Sequence, residues 1–240
     1  MPNPMTGDFQ ASSLTRLLGR FGRLLPSAPG FTTRYGLLTL LVYVAAVVGF
    51  VAFAIQVELL LGNPLAAPRA PGVARNATDA FWHLATAFAL VLPTRRRGAL
   101  WLAPLLALGL DVDHVFGYYL PTVTPRSAHD LFFVMLVGIL LYLIRGRPAA
   151  LIAVGATVGH VAVDGGSFPF LGPLTRTLFP LPFVAQAVLV VLAALLFFLA
   201  FEPLSALRKN TNWMPLVVSC GIVVGAVYFL LPLLPALSSF

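Results

Sequence analysis

Seven apolar runs separated by short polar segments decide what this chain can fold into: Tyr35–Leu61, Phe81–Leu92, Ala99–Leu120, Leu131–Ile144, Ala149–Val163, Pro182–Phe201 and Met214–Leu234. The first, third, sixth and seventh are long enough to span a bilayer with some tilt. The second, fourth and fifth are shorter and are read as extending into the polar residues that flank them. Only 23 of the 240 residues are charged and 59% are hydrophobic, whereas a soluble domain carries about 25% charged residues. So few charges cannot cover a water-facing surface, and the same shortage excludes disorder and coiled coil. The expected fold is an all-α integral membrane protein, a helical bundle of about seven transmembrane spans in the inner or plasma membrane.

The basic residues test that count. With the N-terminus cytoplasmic, the inner segments hold Arg16, Arg20, Arg23, Arg34, Arg95, Arg96, Arg97, Arg145, Arg147, Arg208 and Lys209, and the outer ones hold Arg69, Arg75, Arg126 and Arg176. That is the positive-inside bias, and a miscount of one span would destroy it. Residues 1–34 then form a cytoplasmic or interfacial segment ahead of a bundle over residues 35–240. Within the first, Ser13–Leu25 places arginines at 16, 20 and 23 and apolar residues at 14, 17, 18, 21, 24 and 25. This is the spacing of an amphipathic helix lying on an anionic membrane surface; a basic flank without fixed structure fits the same residues. The arginines are spread over separate cytoplasmic segments with no aromatic interleaving, so the basic pI reads as topology and no nucleic-acid partner is expected. The lone cysteine, Cys220, sits in an apolar run and can form no internal disulfide.

With that topology the ionisable residues of the spans gather toward the outer face. They are His83 on the second span, Asp111, Asp113 and His114 on the third, His129 and Asp130 opening the fourth, and His160 and Asp164 ending the fifth. Ionisable groups at membrane depth are costly and are read by default as functional. His160 and Asp164 are i, i+4 and Asp111 and His114 are i, i+3, so each pair shares a helix face. Asp113 points elsewhere unless the helix opens there. Taken singly, each has a plainer reading. His160 fits a satisfied core histidine, His83 beside Trp82 an interfacial anchor, the Asp111–His114 group a helix end at the interface, and His129-Asp130 an N-cap. Their alignment on one membrane face favours a joint reading. Imidazoles and carboxylates on facing helices are the ligand set of zinc, manganese or iron.

The motifs carrying these residues resemble those of a family. Phe81-Trp-His-Leu-Ala-Thr-Ala-Phe-Ala-Leu90 is similar to its opening His helix, and Leu110-Asp-Val-Asp-His114 resembles its P-D-x-D-H. Arg126-Ser-Ala-His129-Asp130 resembles its H-R-G-x-x-H segment, and Gly159-His-Val-Ala-Val-Asp164 its S-H-x-x-x-D. The order and spacing over residues 79–180 resemble the YdjM-type family of membrane-bound, metal-dependent hydrolases (LexA-binding, inner-membrane-associated). Leu110 stands where that family has proline, and no histidine precedes Arg126.

The resemblance implies a hydrolase in which His83, Asp111, His114, His129, His160 and Asp164 ligate one or two divalent ions, zinc first and manganese or iron next. Asp113 or Asp130 would act as general base or orient a ligand histidine, and Arg126 would hold an anionic group such as a lipid phosphate. A site at outer-leaflet depth favours a lipid-linked or amphiphilic ester or phosphoester, with membrane lipid as the partner. Two alternatives belong to other classes. One is a proton- or metal-coupled transporter, which needs polar residues through the full membrane depth. The other is a non-catalytic factor whose bundle is held by metal. The chain has no Gly-x-Ser-x-Gly nucleophile elbow.

Overall fold

The computed structural model describes residues 33–60, 73–114, 128–164, 167–169, 178–202 and 214–229. Among these, seven α-helices run in chain order: α1 (Thr33–Leu60), α2 (Val73–Val91), α3 (Arg97–Leu110), α4 (Leu131–Arg145), α5 (Arg147–Asp164), α6 (Phe183–Phe201) and α7 (Met214–Phe229). The fold is all-helical, and each apolar run of the sequence contains one helix. The amphipathic segment expected at 13–25 lies outside the described residues.

Two helices, Thr33–Val57 within α1 and all of α6, are long and apolar enough to cross a membrane by length and composition. The others are shorter or more polar than a seven-span reading expects. The third run, expected to continue to Leu120, is helical from Arg97 to Leu110, is interrupted by a turn at Asp111 and is helical again at Val112–His114; residues 115–120 lie outside the described residues. Fourteen residues at 1.5 Å each give about 21 Å, short of a hydrocarbon core of about 30 Å. The reason for the early stop is local: Asp111 caps the helix, and its N–H bonds back to Leu108 O at 3.1 Å, three residues away, as in a tightened last turn.

The core sits around α5. Thirteen of the residues of this helix are buried, and most are alanine, glycine or valine. Small side chains let neighbouring backbones come close, as in lipid-embedded bundles. At Gly155 an added Cβ would lie 3.0 Å from the Phe197 ring and 3.2 Å from the Ala193 carbonyl of α6, so α5 and α6 meet at a distance that any larger residue would crowd. α5 also packs on α4, α3, α2 and α1. A buried hydrogen bond of 2.8 Å between Tyr43 Oη and Thr157 Oγ1 joins it to α1.

The perimeter is apolar. Leu41, Phe53, Leu60, Phe88, Met135, Ile139, Leu143, Val184, Val188 and Ile222 are all exposed, on five of the seven helices. Large exposed apolar patches mark surfaces that contact a membrane or another protein.

The two ends of the bundle differ. At one end Arg145 donates to Tyr35 O at 3.2 Å and lies 4.3 Å over the Tyr35 ring, Arg147 donates to Leu199 O at 2.8 Å, and Arg96 faces Glu202 at 3.5 Å. These contacts tie the start of α1, the α2–α3 and α4–α5 junctions and the end of α6. The opposite end carries the histidines and aspartates. After Asp164, a feature absent from the sequence reading appears: β1 (Ser167–Pro169) pairs antiparallel with β2 (Leu178–Pro180), with Phe168 opposite Phe179.

Candidate metal centre

The middle of α2 and the ends of α3, α4 and α5 deliver the site. His83 lies on the second half of α2, one turn after Asp79. Asp111, Asp113 and His114 follow the last turn of α3, His129 and Asp130 precede α4, and His160 and Asp164 share a face of the last turn of α5. Because the helix is interrupted at Asp111, Asp113 does not follow the face of α3 that would carry it away from Asp111, and both carboxylates enter the cluster.

Asp130 takes the plainer of its two sequence readings. It is the N-cap of α4, with its carboxylate accepting from Phe133 N at 2.6 Å. Its other oxygen, Oδ2, is buried without a hydrogen-bond partner. The cap fixes the chain just before the helix and thereby aims His129 inward. Asp113 is fully buried. Its Oδ2 accepts from Ala128 N at 3.0 Å and meets His129 Nδ1 at 3.0 Å, so it orients a histidine.

His160 is oriented from another side. The Asp111 N–H bonds to Leu108 O, leaving the Ala107 carbonyl open to a new donor. His160 Nδ1 reaches it at 2.9 Å. A carbonyl only accepts, so Nδ1 carries the proton and Nε2 is left with its lone pair. The same logic holds for His129, whose Nδ1 faces a carboxylate oxygen. Yet His129 Nε2 and His160 Nε2 lie 2.9 Å apart. Two lone pairs at that distance repel unless a cation, proton or metal, sits between them. Fixing each imidazole through its far nitrogen and pointing the near one inward is how proteins prepare histidine for metal.

Carboxylates surround this point. Asp111 Oδ1 lies 3.3 Å from His160 Nε2 and 3.9 Å from His129 Nε2, and Asp164 Oδ2 lies 3.4 Å from His129 Nε2 and 3.7 Å from His160 Nε2. Donors held about 2.1 Å from a zinc-sized ion lie roughly 3–3.4 Å from each other. The observed 2.9–3.9 Å separations are close to what such a shell would need. His114 stands at the mouth, 26% exposed, with Nδ1 3.5 Å from Asp111 Oδ1 and Nε2 3.6 Å from Asp113 Oδ1. His83 is buried and stacks on the His160 ring at 3.5 Å, with Nε2 3.2 Å from Asp164 Oδ1. Neither ring nitrogen of His83 makes a well-aligned hydrogen bond, Nε2 having only its charged contacts to Asp164 and Asp79, and Asp111 Oδ1 and Asp113 Oδ1 are buried without one.

The structure thus brings together His83, Asp111, His114, His129, His160 and Asp164, and these buried groups can hold a metal ion. Arg126, expected at the mouth, lies outside the described residues. Asp79 was missed by the sequence reading. Its Oδ1 lies 3.6 Å from His83 Nε2, with the carboxylate half exposed, and its i, i+4 spacing to His83 was the available signal. Comparisons with protein-family models, with curated proteins and with solved structures find no match to this chain.

Proposed function

We propose that the protein is a multi-pass membrane metal-dependent hydrolase that cleaves a lipid-linked or amphiphilic ester, with a phosphoester favoured, on the outer side of the inner or plasma membrane. One observation carries the reading: two buried imidazoles, each fixed through Nδ1, direct their Nε2 lone pairs at one point beside two carboxylates. A mixed nitrogen and oxygen set favours zinc, with manganese or iron next. The apolar perimeter and the basic end support seven spans with the N-terminus cytoplasmic, the shorter helices being completed by flanking residues. The resemblance to the YdjM-type hydrolases gives the reaction class.

Bound there, a divalent ion supplies Lewis acidity, polarising the scissile group and lowering the pKa of a coordinated water to about 7. The chain's own residues do the rest. His129, His160, Asp111 and Asp164 hold the ion, and Asp113 and the Ala107 carbonyl hold the two imidazoles in the required tautomer. His114, the most exposed of the four rings, is placed to take the proton released when water attacks and to return it to the departing alkoxide. Arg126 is assigned to the anionic group of the substrate. The polar cluster is confined to one end of the bundle, which favours hydrolysis at a surface over a relay across the membrane.

The test is elemental analysis of the detergent-purified full chain, followed by assay on amphiphilic phosphoesters and esters with EDTA and with metal restored. We expect bound zinc, activity lost on chelation and regained with zinc or manganese, and a His114→Gln variant that keeps its metal but turns over slowly. A chain that binds no divalent ion would sink the reading. Metal-stimulated flux into liposomes without hydrolysis would replace it with transport.

A further inference from the structure

We infer that the cluster is built for two ions rather than one, with Asp164 bridging them and Asp79 completing the outer site. This rests on the metal-centre reading above and goes beyond it in naming a second site and its residues.

The two oxygens of Asp164 face different partners. Oδ2 lies against His129 Nε2 and His160 Nε2, at 3.4 and 3.7 Å. Oδ1 lies 3.2 Å from His83 Nε2, which in turn is 3.6 Å from Asp79 Oδ1. One carboxylate therefore belongs to two donor groups: His129, His160 and Asp164 on one side, and Asp79, His83 and Asp164 on the other, each with its donor atoms within 4.8 Å of one another. A carboxylate that uses one oxygen per ion is the usual bridge of paired sites, whose metals sit about 3.5–4 Å apart.

His83 supplies the independent observation. Its side chain has no exposed surface, and neither ring nitrogen makes a well-aligned hydrogen bond. A buried imidazole in that condition is costly unless something else satisfies it. The inner position already has donors within reach from His129, His160, Asp111 and Asp164, so it does not need His83 as well. His83 Nε2 instead points between Asp79 and Asp164, where a second ion would take three protein ligands and leave room for water.

Full-length protein in detergent, stripped with chelator and loaded with Mn(II), should retain two ions per chain and give the electron paramagnetic resonance signal of an exchange-coupled pair. Asp79→Asn should retain one, with an uncoupled signal and affinity at the outer site weakened at least about tenfold. Asp79 is half exposed, so this change leaves the packed core alone, and His83→Gln serves as a second variant with the same expected loss. His160→Ala should lower inner-site occupancy. A wild-type chain that saturates at one ion, or an Asp79→Asn chain that still holds a coupled pair, overturns the two-ion inference and leaves the single-metal hydrolase standing. A wild-type chain that binds none overturns both.

Discussion

Removing the Asp113 carboxylate is the sharpest way to test whether second-row contacts set the metal centre. Asp113 is not expected to touch the inner ion; it acts through His129, holding Nδ1 at 3.0 Å and receiving Ala128 N at 3.0 Å with the same oxygen. In Asp113→Ala both partners lose their acceptor, and His129 becomes free to carry its proton on Nε2, where it blocks a ligand position. In Asp113→Asn the amide oxygen can keep both bonds, but the charge that strengthens the imidazole as a donor is gone. Loss of such partners weakens metal binding by about 10–100-fold. We place asparagine at about tenfold, or about 1.4 kcal/mol, and alanine at about 100-fold, or about 2.7 kcal/mol.

The metal-free chain should respond differently. Alanine leaves the buried Ala128 N–H unsatisfied, at a cost of about 1–3 kcal/mol, but it also removes one of several carboxylates that repel each other when no ion is present. The gap in thermal stability between loaded and stripped protein should therefore shrink more than the stability of the stripped protein falls, because a ligand stabilises by RT ln(1 + [L]/Kd). Competition titration with a chromophoric zinc chelator gives the affinities, and melting with and without zinc gives the gap. If Asp113→Ala folds and binds zinc within about twofold of the parent, the tautomer argument for His129 is refuted.

Three further outcomes are expected. Tyr43→Phe should cost about 1 kcal/mol in detergent melts without altering metal content, since Thr157 keeps its bond to Ala153 O at 2.9 Å. Gly155→Leu should destabilise by about 1–3 kcal/mol or more, because the new side chain meets Phe197 and the Ala193 carbonyl; unchanged melting would contradict the close α5–α6 approach. In a Cys220→Ser background, Arg95→Cys in right-side-out vesicles should resist an impermeant thiol reagent until the membrane is opened. Labelling of intact vesicles would reverse the proposed orientation.

Much of the helical plan was legible because apolar runs interrupted by arginines and prolines mark where helices can lie. Their ends were less so. Nothing in Gly109-Leu110-Asp111 announces that the Asp111 N–H turns back to Leu108, and that single bond decides both where α3 stops and which carbonyl His160 finds. Of the six residues expected as ligands, Asp111 with His114 and His160 with Asp164 were readable from i, i+3 and i, i+4 spacing, whereas His83 and His129 came from their place at the outer face and from the family resemblance. Asp79 was readable on the same rule and was missed because it precedes its apolar run. The partner of His160 could not be read at all: it is a backbone carbonyl, which every residue has. The small β1–β2 ribbon escaped for a similar reason, as three-residue strands such as Ser167–Pro169 leave no periodic trace.

The contrast between the two ends has a mechanical consequence. Arg96, Arg145 and Arg147 lace helix ends together by direct bonds, so the basic end behaves as the sprung end of a clothes-peg. The jaws are at the other end, where α2, α3, α4 and α5 meet through carboxylates and lone pairs that repel one another when bare. Under the proposed metal reading, loading the centre should draw those jaws together, a change of shape as well as of chemistry.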